Sequence, residues 1–289
     1  MVNNTVVRFV KDNGSEFVIQ RDTDWRFLKN GLINIGTADG QLTYADNVMG
    51  DGGKIQNVRL TRVDRTIQAA YLKRDNNGTA RQEFAKFFVP KTTYKIYVSY
   101  MGVTRWAEGT LYRMQLSENL DDEDLLTATV TFAFANPFWK SVDNFGHNIA
   151  EVVPMKAFPY LCKVGSEVPT GAFLFDRQVH LHNEGDINIY PDIIIRASDS
   201  CTNPIFYIND AFIKINDIMS SGDEITLNLG AMPPRIEKNG QNYFGHVDKS
   251  SQLTLCYLKQ GDNIVSFNAD DGASSLAVTV YYNKMYMVI

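Results

Sequence analysis

The stretch LTATVTFAFANPFWK, residues 126–140, decides the reading of this chain. Leu126, Ala128, Val130, Phe132 and Phe134 alternate with Thr127, Thr129 and Thr131. That period of two predicts a half-buried antiparallel strand with one apolar and one polar face. The strand ends on Asn136-Pro137-Phe138-Trp139. Proline has no N–H to give a ladder, so Pro137 halts the strand and two bulky aromatics follow it.

Working outward, TVVRF (5–9) and EFVIQ (16–20) flank Asn13-Gly14, which supplies the positive φ of a hairpin turn. A polar, glycine-rich stretch (37–53) leads to NVRLTRVDRTIQAAYL, whose apolar phase slips near Val63, predicting a bulge or bend there. A helix is predicted over 79–89. Thr79 and Gln82 have the spacing of a capping box, Ala80, Phe84, Phe87 and Phe88 form one apolar face, and Pro90 stops it. YKIYVSY and VTRWAEGTLYRMQLS complete a meander with the opening strand.

Residues 141–170 lose this regularity and are punctuated by Gly146, Pro154, Pro159, Gly165 and Pro169, which marks a linker. From 171 to 289, short strands such as QVHLH, PIFYI, AFIKI, EITLNL, LTLCYL, NIVSF and LAVTVYY alternate with Gly-, Asn- and Asp-rich turns. Many short strands at this spacing read as a β-sandwich. The expectation is a mainly β chain: an antiparallel β domain with one helix over 1–140, a linker over 141–170, and a β-sandwich over 171–289.

With 44% hydrophobic and 21% charged residues the composition is that of an ordinary globular chain. A net charge of −5 argues against sequence-independent nucleic-acid binding. No apolar run approaches the roughly 20 residues of a membrane span, and the N-terminus lacks the apolar core of a signal peptide, so neither membrane insertion nor signal-directed export is expected. Cys162, Cys201 and Cys256 are scattered and form no CxxC pair, which predicts reduced, buried thiols. His180 and His182 share a strand face but have no third ligand at metal-binding spacing, and the run Asp121–Asp124 lacks the alternation of a calcium loop. No GxSxG, P-loop, GxGxxG or HExxH motif occurs, so no enzyme, cofactor or metal is expected.

The ordered series of these features resembles the distal tail proteins of long, non-contractile-tailed phages and prophages of Gram-positive hosts. The residues that carry it are the strand ending in Asn136-Pro137-Phe138-Trp139, the lone helix, HLHNEGDINIYPDIII, and the run PIFYIND, SSGDEITLNL, RIEKNGQ, LKQGDNIVSF and LAVTVYYNKMY. The resemblance implies a structural virion protein at the tail tip, assembled in the host cytoplasm. Its N-terminal domain builds a homohexameric ring and a galectin-like sandwich follows. The implied partners are other copies of the chain, the tail tube protein, the tail-tip hub or tail-associated lysin, and receptor-binding proteins, with DNA passing through the opening unbound. Pro137, Phe138 and Trp139 become candidates for the domain junction, and Trp25, Phe27, Leu42 and Tyr44 for the ring interface. The competing reading is a carbohydrate-binding sandwich that attaches to host cell-wall glycans, with His182, Tyr190 and Tyr207 as candidate contacts. A third is a tail-tip enzyme that degrades peptidoglycan.

Overall fold

The computed structural model describes residues 5–47, 49–73, 76–118, 125–142, 178–231 and 233–289, and the strand backbone of 145–148, 150–154 and 171–175. The acidic run 121–124, Cys162 and most of the expected linker lie outside the described residues. The chain divides into two compact units, Met1–Val142 with Met285–Ile289, and Asp143–Lys284. The expected boundary at 140 falls close to this division, but the last five residues, expected in the sandwich, return to the first unit.

The first unit carries β1 (Val6–Val10), β2 (Glu16–Ile19), β3 (Trp25–Ile33), β4 (Gly40–Asp46), β5 (Gly53–Leu60), β6 (Val63–Tyr71), α1 (Asn77–Phe87), β7 (Thr93–Tyr100), β8 (Val103–Leu116), β9 (Thr127–Phe134) and β10 (Trp139–Ser141). Its main antiparallel sheet runs β2-β1-β7-β8-β9-β6-β3. Leu126, Ala128, Val130, Phe132 and Phe134 are all buried, as their alternation requires. The phase slip near Val63 is a break between two strands rather than a bulge within one: among the described residues β5 pairs with β4 alone, while β6 lies between β3 and β9. The glycine-rich stretch contains β4, which its polar composition concealed.

α1 covers this sheet with the predicted face: Ala80, Phe84 and Phe88 are buried. Phe84 sits 4.6 Å from the Trp25 ring, and Phe88 meets Phe9 edge-on at 5.0 Å. The predicted capping box is not formed. The helix starts at Asn77, two residues before Thr79, with Asn76 as N-cap and no side-chain cap bond. At the other end the Tyr94 hydroxyl donates to Phe87 O (2.8 Å) and accepts from Val89 N (2.9 Å), which satisfies backbone groups that the helix end would leave open.

The turn after β9 is held by a buried cation. Ala133 pairs with Thr110, and Lys140 pairs with Trp106, so seven steps along one strand oppose four along the other. Three residues are therefore looped out, and Asn136, Pro137 and Phe138 form that loop. Asn136 Oδ1 accepts from Phe138 N at 3.0 Å, fixing the bend. Arg65 of β6 lies beneath it, 1% exposed. Its guanidinium packs 4.4 Å from the Phe134 ring centre and 4.3 Å from that of Trp139. Its Nη2 donates to Pro137 O at 2.6 Å and its Nε to Asn34 O at 3.3 Å. Burial draws its pKa down to about 10, still far above neutrality, so the group remains charged. Trp139 Nε1 donates to Ile35 O at 3.0 Å, and the side chain is buried in the core of this unit. Gly109, opposite, leaves room for the Phe134 ring, which a Cβ there would meet at 2.9 Å.

The second unit carries β11 (Phe145–Asn148), β12 (Ala150–Pro154), β13 (Gly171–Phe175), β14 (Gln178–Asn183), β15 (Asp192–Ala197), β16 (Cys201–Ile208), β17 (Ala211–Lys214), β18 (Ile218–Met219), β19 (Glu224–Asn228), β20 (Arg235–Lys238), β21 (Gln241–Asn242), β22 (Gly261–Asp271) and β23 (Leu276–Tyr282). One sheet runs β11-β23-β15-β19-β20-β21, the other β14-β22-β16-β17 with β18 beside β16. Ile193, Ile195, Ile225, Leu227, Val278 and Val280 of the first sheet and Leu181, Phe206, Ile208, Ile213, Val265 and Phe267 of the second are buried, the inner faces of a sandwich. LTLCYL, expected as a strand, forms a 3-10 turn at Leu253–Leu255 instead, with Cys256 and Leu258 buried and Leu258 bridging Ile189. After β23 the chain re-enters the first unit as β24 (Met285–Tyr286), which pairs with β10 through Trp139↔Tyr286 and Lys140↔Met285.

A charged cluster closes one edge of the sandwich. Lys238 Nζ lies 2.7 Å from Asp217 and 3.2 Å from Asp223, and the Tyr243 hydroxyl donates to Asp217. Burial alone would raise the Asp217 carboxyl, but hydrogen bonds from Lys238, Tyr243 and the Ile218 backbone, with the lysine charge, outweigh it and hold it at about 2.

Two outcomes follow from this packing. All three tryptophans lie in the first unit, so their fluorescence reports its unfolding. Arg65→Ala removes the cation, strands the Pro137 carbonyl and opens a cavity, and is expected to lower that transition by about 3 kcal/mol in denaturant titration. Gly109→Ala, which overpacks against Phe134, is expected to cost about 1–3 kcal/mol. For the second unit, the depressed Asp217 carboxyl means that the folded state binds fewer protons than the unfolded chain. The stabilisation is present above the unfolded value of 3.8 and is lost as pH falls toward 2. Calorimetry at about pH 6 and about pH 3 should therefore show a smaller loss of stability in Asp217→Asn than in the wild type.

Candidate functional site

No group of three or more metal-ligating side chains occurs among the described residues. Cys201 and Cys256 are buried, and burial pushes their thiols up to about 11 and about 12, so neither is a thiolate at neutral pH. His182 Nδ1 sits 2.6 Å from Asp262 Oδ1 on an exposed strand face.

The ribbon of β4 and β5 carries an open apolar surface. These two strands pair with each other and with no other strand among the described residues. Leu42 lies opposite Val58, Tyr44 opposite Ile55, and Gly40 opposite Leu60, so all fall on one face; a register shift between Thr43 and Tyr44 keeps them aligned. Tyr44 is 58% and Val58 60% exposed, and Leu42, Ile55 and Leu60 are open as well. The opposite face is polar, with Arg59 Nη2 donating to Gln41 Oε1 at 3.0 Å. The turn is closed by Asn47 N donating to Gly52 O (3.0 Å), with Gly52 at φ +87°, and Met49 at its tip is fully exposed. A two-stranded ribbon by itself is at best marginally stable in water. A ribbon with one apolar face left open therefore calls for a covering surface.

The candidate residues divide by place. Trp25 is buried in the core of the first unit, packed on Tyr71 and Phe84, and Phe27 is half-buried against the same core. Leu42 and Tyr44 lie on the open ribbon. Pro137 and Trp139 are buried within the first unit and Phe138 is half-buried there. Val58 belongs to a stretch (57–72) whose sequence reads as one extended segment running into β6, which hides its place on the ribbon.

His182 and Tyr207 share the outward side of one sheet but lie on strands separated by β22 and at different levels, Tyr207 facing Ser266 and His182 facing Asp262. Tyr207 packs on Phe212. Tyr190 lies before β15, its hydroxyl donating to Thr254 O at 2.9 Å and its ring edge-on to Tyr257. The structure brings none of these three together.

Residues 184–286 match the family model of the siphovirus-type tail component, C-terminal domain. No curated protein matches the sequence. Among solved structures, the chain is similar to the Dit (gp 19.1) protein of phage SPP1, described as a paradigm of the hub adsorption apparatus in phages infecting Gram-positive bacteria. The TM-score is 0.62 at 15% identity, over 96% of this chain and 98% of that one. It is also similar to chains of the phage P2 baseplate in its activated conformation with calcium and with strontium, with TM-scores of 0.51 and 0.52 at 11% identity over the full length of both chains. The chain therefore has the fold seen in these siphophage tail and baseplate components, and its residues 184–286 match the model of the siphovirus-type tail component, C-terminal domain.

Proposed function

We propose that this chain is a distal tail protein whose copies form a hexameric ring at the tip of the phage tail, joining the tail tube above to the tail-tip hub or tail-associated lysin below. The observation that carries this reading is the likeness of fold along almost the whole chain to a phage adsorption hub, together with the family match of the C-terminal unit. Receptor-binding proteins attach around the ring, and DNA passes through its opening without specific contacts, in keeping with the net charge of −5. The ring is assembled in the host cytoplasm and resides in the virion tail tip. Its role is architectural and involves no catalysis.

The β4–β5 ribbon supplies the subunit contact in this reading. A closed ring needs heterologous interfaces, in which one surface of a subunit meets a different surface of the next. The open apolar row of Leu42, Tyr44, Ile55 and Val58 is one such surface. Trp25 and Phe27 belong to the core of the unit and have no part in the subunit contact of this reading.

Leu42→Glu combined with Val58→Glu places two carboxylates on the apolar row without touching the core of the unit. Light scattering on the eluted protein should show the oligomer dissociating to monomer while the tryptophan-fluorescence unfolding transition stays within about 0.5 kcal/mol of wild type. An unchanged oligomeric mass would place the subunit contact elsewhere.

A further inference from the structure

In the second unit, a cleft of about 440 Å³ opens beside β20 and β21. Its walls are Pro233, Pro234, Arg235, Glu237, Asn242 and Phe244. Glu237 and Asn242 are direct cross-strand neighbours, and Arg235 stands two residues along the same outward row. That row continues onto β19, with Thr226 opposite Glu237 and Asn228 opposite Arg235.

The polar groups of the cleft are uncommitted. Among the described residues, neither the Arg235 guanidinium nor the Glu237 carboxylate makes a side-chain hydrogen bond or ion pair. Asn242 uses Oδ1 to accept from Phe244 N at 3.1 Å, which orients its amide and leaves the Nδ2 donors available. Phe244 is 45% exposed, yet it sits on a fixed turn. Tyr243 N donates to Ile236 O at 2.8 Å, His246 N donates to Tyr243 O at 3.1 Å, and the Tyr243 ring stacks on His246 at 3.9 Å with 6° between planes. The Tyr243 hydroxyl is anchored on Asp217. A large aromatic ring is thus held in water on a rigid support, beside two prolines that have no conformational freedom to lose.

We infer that this cleft is a saccharide-binding site. An aromatic plane takes the C–H face of a pyranose ring, and a guanidinium, a carboxylate and a carboxamide on its rim exchange hydrogen bonds with vicinal hydroxyls. The volume lies within the range of small-ligand sites. One positive and one negative side chain share the rim, so its charges balance and the site suits a neutral sugar. This site is distinct from His182, Tyr190 and Tyr207, and it does not depend on ring formation.

The test uses the full-length protein and saturation-transfer NMR with the methyl glycosides of glucose, galactose, rhamnose and N-acetylglucosamine, and with glycerol phosphate. Transfer to the ring protons of at least one neutral glycoside is expected. About tenfold weaker binding is expected in Phe244→Ala and in Glu237→Gln, both surface changes whose circular dichroism should match wild type. Absence of transfer to all four glycosides would overturn the inference. So would equal transfer in wild type and both variants, or a preference for glycerol phosphate.

Discussion

A charge buried without a countercharge is the constraint around which the first unit is arranged. Taking a guanidinium out of water costs several kcal/mol unless the protein replaces what water supplied. Here Phe134 and Trp139 present their ring faces to Arg65, and the carbonyls of Pro137 and Asn34 accept two of its N–H groups. Two of these partners, the Pro137 carbonyl and the Trp139 ring, are placed by the looped-out residues after β9. Pro137 stops the ladder and turns its carbonyl inward, and Trp139 brings the chain back beside β8. The Asn-Pro-Phe-Trp sequence is therefore a clasp on a buried cation.

That clasp also provides the edge on which residues 285–286 pair. Once Trp139 has resumed pairing with β8, the open side of β10 accepts β24, and Arg105 reinforces this return by packing 3.6 Å over the Tyr286 ring and donating to Val288 O. The second unit is thus an excursion, leaving the first after Val142 and returning at Met285. The first unit requires its N-terminal strands and the last residues of the chain together. Truncation at the C-terminus consequently acts on the unit that begins the sequence.

The sequence revealed what depends on local periodicity. The alternation of β9, the apolar face of α1 and most strands of the sandwich were legible because each pattern states which side of an element is buried. What escaped it depends on partners distant in sequence. Arg65 and Pro137 are 72 positions apart, and nothing near either shows that they meet. Thr79 and Gln82 have capping-box spacing, yet the helix begins two residues earlier, since helix ends are set by the packing of the flanking chain as much as by local capping. LTLCYL has the composition of a strand, but Cys256 and Leu258 are buried from a turn. In the ribbon, the row that Leu42 and Tyr44 share with Val58 and Ile55 depends on strand pairing that no local pattern states; core is the commoner place for a tryptophan and Trp25 lies there, but a single aromatic in a polar surrounding carries no period to separate core from interface.

The open apolar ribbon suits the proposed assembly, in which copies of this chain close into a ring. Negative-stain imaging of the purified full-length protein tests that claim most directly. The account predicts closed hexameric rings with an open centre; particles that remain monomeric as concentration is raised, with or without the tail tube protein, would contradict it.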